Sequence, residues 1–204
     1  MSDATAPSDR AREKWNRRYT EHGVLPFPDR PAGWLVENRS LLIGRGGRRA
    51  LDVACGDGRN ALYLEQLGFD VVAVDVSDVA IEALRAAALD RGLAVEPLQV
   101  DLEVEPLPVG GYDAIVQISY LQRDLFGQLA GALAPGGILI VETVTRAHVD
   151  ELGNSFDPRF VLDHNELLRS FPDLHVLHYR EGVVERSGRP RAVASLVAER
   201  RTAG

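Results

Sequence analysis

Cysteine occurs once in this chain of 204 residues, at Cys55, so no internal disulfide forms and no cysteine pair holds a metal. A solitary thiol gives no sign of an oxidising compartment, and the cytoplasm is the expected location. Positive charge is in deficit, with 23 Lys and Arg against 30 Asp and Glu and a net charge of -7. That balance disfavours a broad grip on nucleic acid or on an anionic membrane, and leaves small molecules or proteins as partners. No apolar run has the length of a membrane helix, and Met1 to Arg10 lacks the apolar stretch of a signal peptide. Internal repeats are missing, and the one biased tract, Gly44 to Arg49, is expected to be a solvated connection. What the chain does have is 45% apolar residues, enough for one domain with a substantial core. The expected layout is a single domain over 1–204, with a helical cover at 1–45 and an α/β core at 46–204.

The most informative stretch is Leu51-Asp-Val-Ala-Cys-Gly-Asp-Gly-Arg-Asn60. A short apolar run, Ala50 to Ala54, breaks into Gly56 and Gly58 just before a helical pattern, so strand, tight turn and helix follow in order. Glycine permits the turn and removes the side chain that would block a ligand lying on it. The next apolar run, Asp70 to Val74, ends at Asp75, about 20 residues beyond the first glycine, where α/β nucleoside sites place the acid that binds ribose hydroxyls. Gly56-Asp-Gly58-Arg-Asn-Ala61 also satisfies the dinucleotide fingerprint, so an NAD-dependent oxidoreductase is an alternative. Asp52 decides between them. A carboxylate near the end of the first strand suits a cationic ligand such as S-adenosylmethionine (SAM), and would repel the phosphates of NAD.

Around this motif, apolar strands alternate with helical stretches. Ser8 or Asp9 is expected to cap a helix to about Glu21, ended by Gly23 and nearby prolines, with Ala11, Trp15 and Tyr19 on one face. A second helix is expected from Ala32 to Ile43. Ser77 caps a helix over Val79 to Arg91 that closes at Gly92. Further strands are expected at Ala94 to Val100, Tyr112 to Ile118 and Ile138 to Glu142, with a helix from Leu121 to Leu133 stopped by Pro135-Gly136-Gly137. Asp163 and Glu166 have capping-box spacing for a short helix through Ser170. Leu174 to Gly182 and Ala192 to Glu199 are expected to pair as a hairpin turning at Ser187 to Pro190. The fold class is therefore α/β, a doubly wound Rossmann-like sheet, mostly parallel, with an antiparallel C-terminal hairpin.

Asp52 followed by Gly56-Asp-Gly58, Asp75, Asp101-Leu102, Tyr112 to Gln117, and Leu133-Ala-Pro-Gly-Gly-Ile-Leu-Ile-Val141 together resemble the ordered motifs of the class I SAM-dependent methyltransferases. Trp15-Asn-Arg-Arg-Tyr19, Cys55 to Asn60, and Asp157 to Phe160 through Glu166-Leu167-Leu168 resemble the tellurite-resistance type of small-molecule methyltransferase. The resemblance implies a seven-stranded sheet, SAM as cofactor, S-adenosylhomocysteine (SAH) as product, and a small nucleophilic acceptor such as a thiol or chalcogen oxyanion. It places the donor's turn on Asp52, Ala54, Cys55, Gly56, Gly58 and Asn60, with Asp75 and Val76 at the ribose and Asp101 and Leu102 at the adenine edge. Trp15 and Tyr19 would close over the methionine end, and Gln117 and Ile118 would face the crevice. Thr143, Arg146, His148, Arg159 and His164 form a polar, basic group suited to an anionic acceptor. Methyl transfer needs mainly alignment, so no catalytic acid or base is assigned. A silent SAM-binding protein remains an alternative. No metal is expected, because His175 and His178 at strand spacing point to opposite faces.

Overall fold

Strands β1 (Arg49–Val53) and β2 (Asp70–Asp75) are buried on both faces from their second residue onward, as parallel strands covered by helices must be. The computed structural model describes residues 7–22, 30–44, 49–186 and 188–202. The other strands are β3 (Val95–Gln99), β4 (Tyr112–Ile118), β5 (Leu133–Val144), β6 (His175–Arg186) and β7 (Arg189–Glu199). They form one seven-stranded sheet of order β3-β2-β1-β4-β5-β7-β6. β1 to β5 run parallel, while β7 is antiparallel to both β5 and β6. The expected doubly wound sheet with its hairpin is thus present. β1 and β4 lie side by side although the chain visits β2 and β3 between them, which opens a crevice beyond their carboxyl ends.

Helices cover both faces: α1 (Pro7–His22), α2 (Gly33–Glu37), α3 (Arg59–Gln66), α4 (Asp78–Arg91), α5 (Phe126–Ala132), α6 (Ala147–Asp150) and α7 (Glu166–Arg169). Alternation along β2 sends Val71 and Ala73 to a core shared with α2, α3 and α4, and Val72 and Val74 to one shared with α5 and α7. Gly92, in the left-handed conformation at φ 63°, closes α4 as expected, and Ser77 caps it by accepting from the Ala80 N–H at 3.1 Å. No helix among the described residues is long and apolar enough to cross a membrane.

Four local expectations are corrected. The helix expected from Ala32 to Ile43 is only α2 followed by a 3-10 turn at Arg39–Leu41. Asn38 breaks it by donating from its side chain to the Trp34 carbonyl at 2.8 Å, which competes with continued helix. The Pro135-Gly136-Gly137 stop lies inside β5, because the register shifts between Tyr112 and Ala114 and absorbs it. Pro190 lies in β7 opposite Glu185, so the hairpin is longer and its tip reaches further than expected. Finally, a bulge between Val176 and His178 puts His175 opposite Glu199 and His178 opposite Val197, on the same face. They still diverge in partner, His175 meeting Arg201 and His178 meeting Asn38, and no metal-holding cluster occurs among the described residues. Gly23, Pro26, Pro28, Ser187 and residues 45–48 of the basic tract lie outside the described residues.

Candidate functional site

β1 and β2 end together, with Val53 in register with Val74, and the chain must turn through Ala54 to Gly58 to enter α3. Ala54, Gly56 and Gly58 all have positive φ, at 54°, 57° and 84°. Glycine tolerates this, whereas Ala54 is strained by about 1–2 kcal/mol. The turn is held from the neighbouring strand: Asp75 accepts from the Gly56 N–H and the Ser77 N–H, each at 2.9 Å. A carboxylate has about four acceptor positions, so Asp75 keeps capacity for further donors.

The two glycines serve different neighbours. A Cβ on Gly56 would stand 2.6 Å from the Tyr19 hydroxyl oxygen, whereas one on Gly58 would stand 2.1 Å from Leu84 Cδ1 in α4. Gly58 therefore answers to core packing. Gly58→Ala is expected to destabilise the fold by about 1–3 kcal/mol, measured by urea denaturation, through strain and overpacking.

α1 lies across this turn. Asn16 donates to Asp78 Oδ1 at 2.6 Å and accepts from the Ser77 hydroxyl at 2.7 Å, which ties α1 to the start of α4. Sequence reasoning followed the 11-15-19 face of this helix and missed Asn16, one position round. Trp15 and Tyr19 are neighbours, with ring centroids 6.2 Å apart. Lys14 and Arg18 stand 5.7 and 5.6 Å from the Trp15 centroid, so Tyr19 is the aromatic that covers the turn. Burial, with Asp75 and Asp57 adding to it, raises the Tyr19 phenol and keeps it neutral.

Three buried carboxylates surround the turn: Asp52 at 1% exposure, Asp57 at 4% and Asp75 at 7%. Among the described residues, Asp52 Oδ2 and both oxygens of Asp57 have no hydrogen-bond partner. Burial pushes Asp52 up to about 8, opposed by Arg59 and the Ala61 N–H and reinforced by Asp75 and Asp57. Asp75 is also raised by burial, despite the N–H groups of Ser77, Gly56 and Val76. The same burial and acids drive the Cys55 thiol well up, so this cysteine is no nucleophile.

Toward β3, a cavity of about 280 Å³ is lined by Asp9, Arg12, Val76, Gln99, Asp101 and Glu105. Asp101 Oδ1 accepts from the Glu103 N–H at 3.0 Å, while its Oδ2 is buried without a partner among the described residues. Leu102 is buried beside it and its carbonyl accepts from Gln122 at 2.7 Å. At the end of β4, Ile118 is buried, Gln117 donates to the Tyr120 carbonyl at 3.1 Å, and its Oε1 has no partner among the described residues.

Other expected site residues are engaged elsewhere. Asn60 Oδ1 accepts from the Ala32 N–H at 2.9 Å and so anchors the approach to α2. Arg146 pairs with Asp163 at 2.6 Å and Arg159 with Asp157 at 2.7 Å, both at the exposed surface. The Arg159 guanidinium holds Asp157 down at about 2. His148 is buried edge-on to Phe156, receives a 3.4 Å contact from the Ala192 N–H, and is lowered by burial and by Arg191. His164 pairs with Glu181 at 3.0 Å, and Thr143 is buried within β5. The expected basic group is thus divided among separate contacts.

A different basic group stands at the hairpin tip. Pairing of Arg186 with Arg189 and of Val184 with Arg191 places the three arginines on one face. Arg186 donates to the Ser119 hydroxyl at 2.9 Å, just beyond β4. Burial lowers Arg186 to about 10, with Arg59 and Arg191 adding to it and Glu142 opposing. Arg191 is likewise lowered by burial and by Arg59. Neither has a carboxylate within ion-pair distance among the described residues. Reading Pro190 as part of a turn hid this group.

Residues 50–137 match a family model described as a methyltransferase domain. The chain is 34% identical over 116 residues to demethylmenaquinone methyltransferase of Thermus thermophilus, covering 53% of this chain and 52% of that protein. Across the curated relatives it matches, the chain spans about half of their length. Its fold is similar to that of TehB from Haemophilus influenzae, with a TM-score of 0.74 and 21% identity, covering 92% of this chain and 67% of the other. It is also similar to magnesium protoporphyrin IX methyltransferase from Synechocystis PCC 6803, a structure with bound SAM, with a TM-score of 0.66, 16% identity and coverage of 98% and 100%. The match to a methyltransferase model, together with the buried Asp52, removes the ground for a dinucleotide oxidoreductase, which rested on glycine spacing alone.

Proposed function

We propose that the chain carries a class I SAM-dependent methyltransferase domain and transfers the methyl group of SAM to a small nucleophilic acceptor, such as a thiol or a chalcogen oxyanion. One observation carries the reading: buried acceptors without partners among the described residues, Asp52 Oδ2, Asp57 and Asp101 Oδ2, stand around a glycine turn braced by Asp75. That set complements a ligand rich in donors and positive charge, which SAM is and a diphosphate is not. In this reading 1–204 is a single domain, with 1–45 as cover.

Bound SAM supplies an electrophilic methyl group on a sulfonium. The chain aligns and encloses. Asp75 orients the ribose hydroxyls, Asp101 accepts from the adenine amino group, and the Leu102 backbone packs at the same edge. Tyr19 covers the methionine end and excludes water. Arg186 and Arg191, beside Ser119, hold the acceptor when it carries negative charge. Charge is neutralised as the methyl moves, so alignment suffices and no side chain is assigned as base.

Calorimetry with SAM and SAH tests the donor half, and the absence of binding at high micromolar ligand rejects it. A radiolabelled methyl screen over selenite, tellurite, thiols and thiopurines tests the acceptor half. Transfer to an oxyanion is expected to fall by about tenfold or more in Arg186→Gln/Arg191→Gln, with SAH affinity kept. SAH binding without transfer to any of these acceptors would favour the silent SAM-binding protein.

A further inference from the structure

Taking the crevice as the donor site, we infer that Arg123 is a positioning residue for its mouth: it fixes the Phe160 ring, and that ring fixes α1 across the opening. Arg123 begins a 3-10 turn, Arg123–Leu125, shortly after β4. Its guanidinium forms a forked pair with Glu166, Nε to Oε1 at 2.5 Å and Nη2 to Oε2 at 2.9 Å. It also donates to the Arg159 carbonyl at 2.8 Å and to the Val161 carbonyl at 2.9 Å. Those carbonyls flank Phe160, so one planar side chain grips the backbone on both sides of the ring.

Packing alone does not hold this stretch. Residues 153–159 are exposed, and burial resumes at Val161 and Leu162, where the chain lies beside the end of β5 through a bridge between Thr145 and Leu162. The ring gripped in between meets α1. Lys14 Nζ lies 6.0 Å from the Phe160 centroid and 5.7 Å from that of Trp15, so one ammonium is shared by a ring on each element. Lys14 also attracts Asp157, which adds to the same contact. A helix of 16 residues is marginal by itself in water, so α1 depends on its anchors. Asn16 on Ser77 and Asp78, and Tyr19 over Gly56, anchor it beyond the ends of β2 and β1. Phe160 comes from the segment after β5, two places further along the sheet from β1. α1 is thereby held from both flanks of the crevice.

Hydrogen exchange on the ligand-free full chain reads this directly. Arg123→Lys keeps the charge without the fork, and should speed exchange over residues 157–162 and in the middle of α1 by about threefold or more, leaving α3 and α4 unchanged. Phe160→Leu should speed α1 to the same degree. Because Arg123 reaches α1 through the ring, the double variant should add less than about twofold there. Glu166→Gln opens the same fork and should act in the same direction, so a folding defect in Arg123→Lys does not decide the matter. Unchanged α1 exchange in Phe160→Leu, effects that multiply in the double variant, or an equal rise in α3 and α4 would overturn the inference. SAH affinity, by calorimetry, should fall by about threefold or more in the variants that loosen α1, and an unchanged affinity there would overturn it too. A wild-type chain that binds no SAH rejects the donor reading, while the exchange result still decides whether Arg123 positions α1.

Discussion

Asp75→Ala is expected to weaken SAH binding by about 1–3 kcal/mol and also to lower the stability of the free protein. The first effect would be the loss of the charge-assisted hydrogen bonds proposed to the ribose. The second comes from the fold: Asp75 accepts from two backbone N–H groups, Gly56 and Ser77, and both are buried. Stranding each donor costs about 1–3 kcal/mol, so urea denaturation should register the variant without any ligand. Asp75→Asn keeps one acceptor oxygen and should fall between the two. An unchanged SAH dissociation constant in a folded Asp75→Ala protein would contradict the ribose role, whatever happens to stability.

Asp52→Asn is expected to change stability and binding in opposite directions. In the free protein this carboxyl titrates at about 8, pushed up by burial, with Arg59 opposing and Asp75 and Asp57 adding to the shift. Across the window from the ordinary carboxylate value to about 8, the folded chain holds a proton that the unfolded chain has lost. The folded state binds more protons there, so this group's contribution to stability falls as pH rises through the window. Asn carries no such proton. The variant should match wild type only below the ordinary carboxylate value, near pH 3, and melt progressively higher as pH rises to about 8, by about 2–4 °C for each kcal/mol of burial cost relieved. A cationic ligand reverses the preference, because it favours the ionised carboxylate. SAM affinity of the wild type should therefore rise with pH up to about 8 and then level, with proton uptake by buffer on binding at pH 7. The variant should bind more weakly and without that rise. Calorimetry in two buffers of different ionisation enthalpy measures the proton, and identical heats in both would show that Asp52 does not couple to the ligand.

The elements legible from sequence are those whose cause is local. Gly56, Gly58 and Gly92 mark turns because of their backbone freedom, Ser77 marks a cap, and the double-sided burial of β1 and β2 marks parallel strands. The illegible parts depend on distant partners. Asn38 ends α2 by bonding Trp34 while its other side-chain atom meets His178 across the sheet, a contact no local pattern contains. Asn60 sits inside the motif, yet it is turned to the Ala32 N–H. Arg146 and Arg159 look available in sequence, but Asp163 and Asp157 lie close enough in the fold to claim them. The hairpin arginines came to light only when pairing across the tip put Arg186, Arg189 and Arg191 on one face.

The most direct measurement of the central claim is a crystal structure of the chain grown with SAH. The account predicts one adenosyl ligand beside the Gly56 turn, its ribose hydroxyls on Asp75, its adenine amino group on Asp101 and its ammonium toward Asp52 and Asp57. A ligand placed elsewhere, or a ribose with no contact to Asp75, would contradict it.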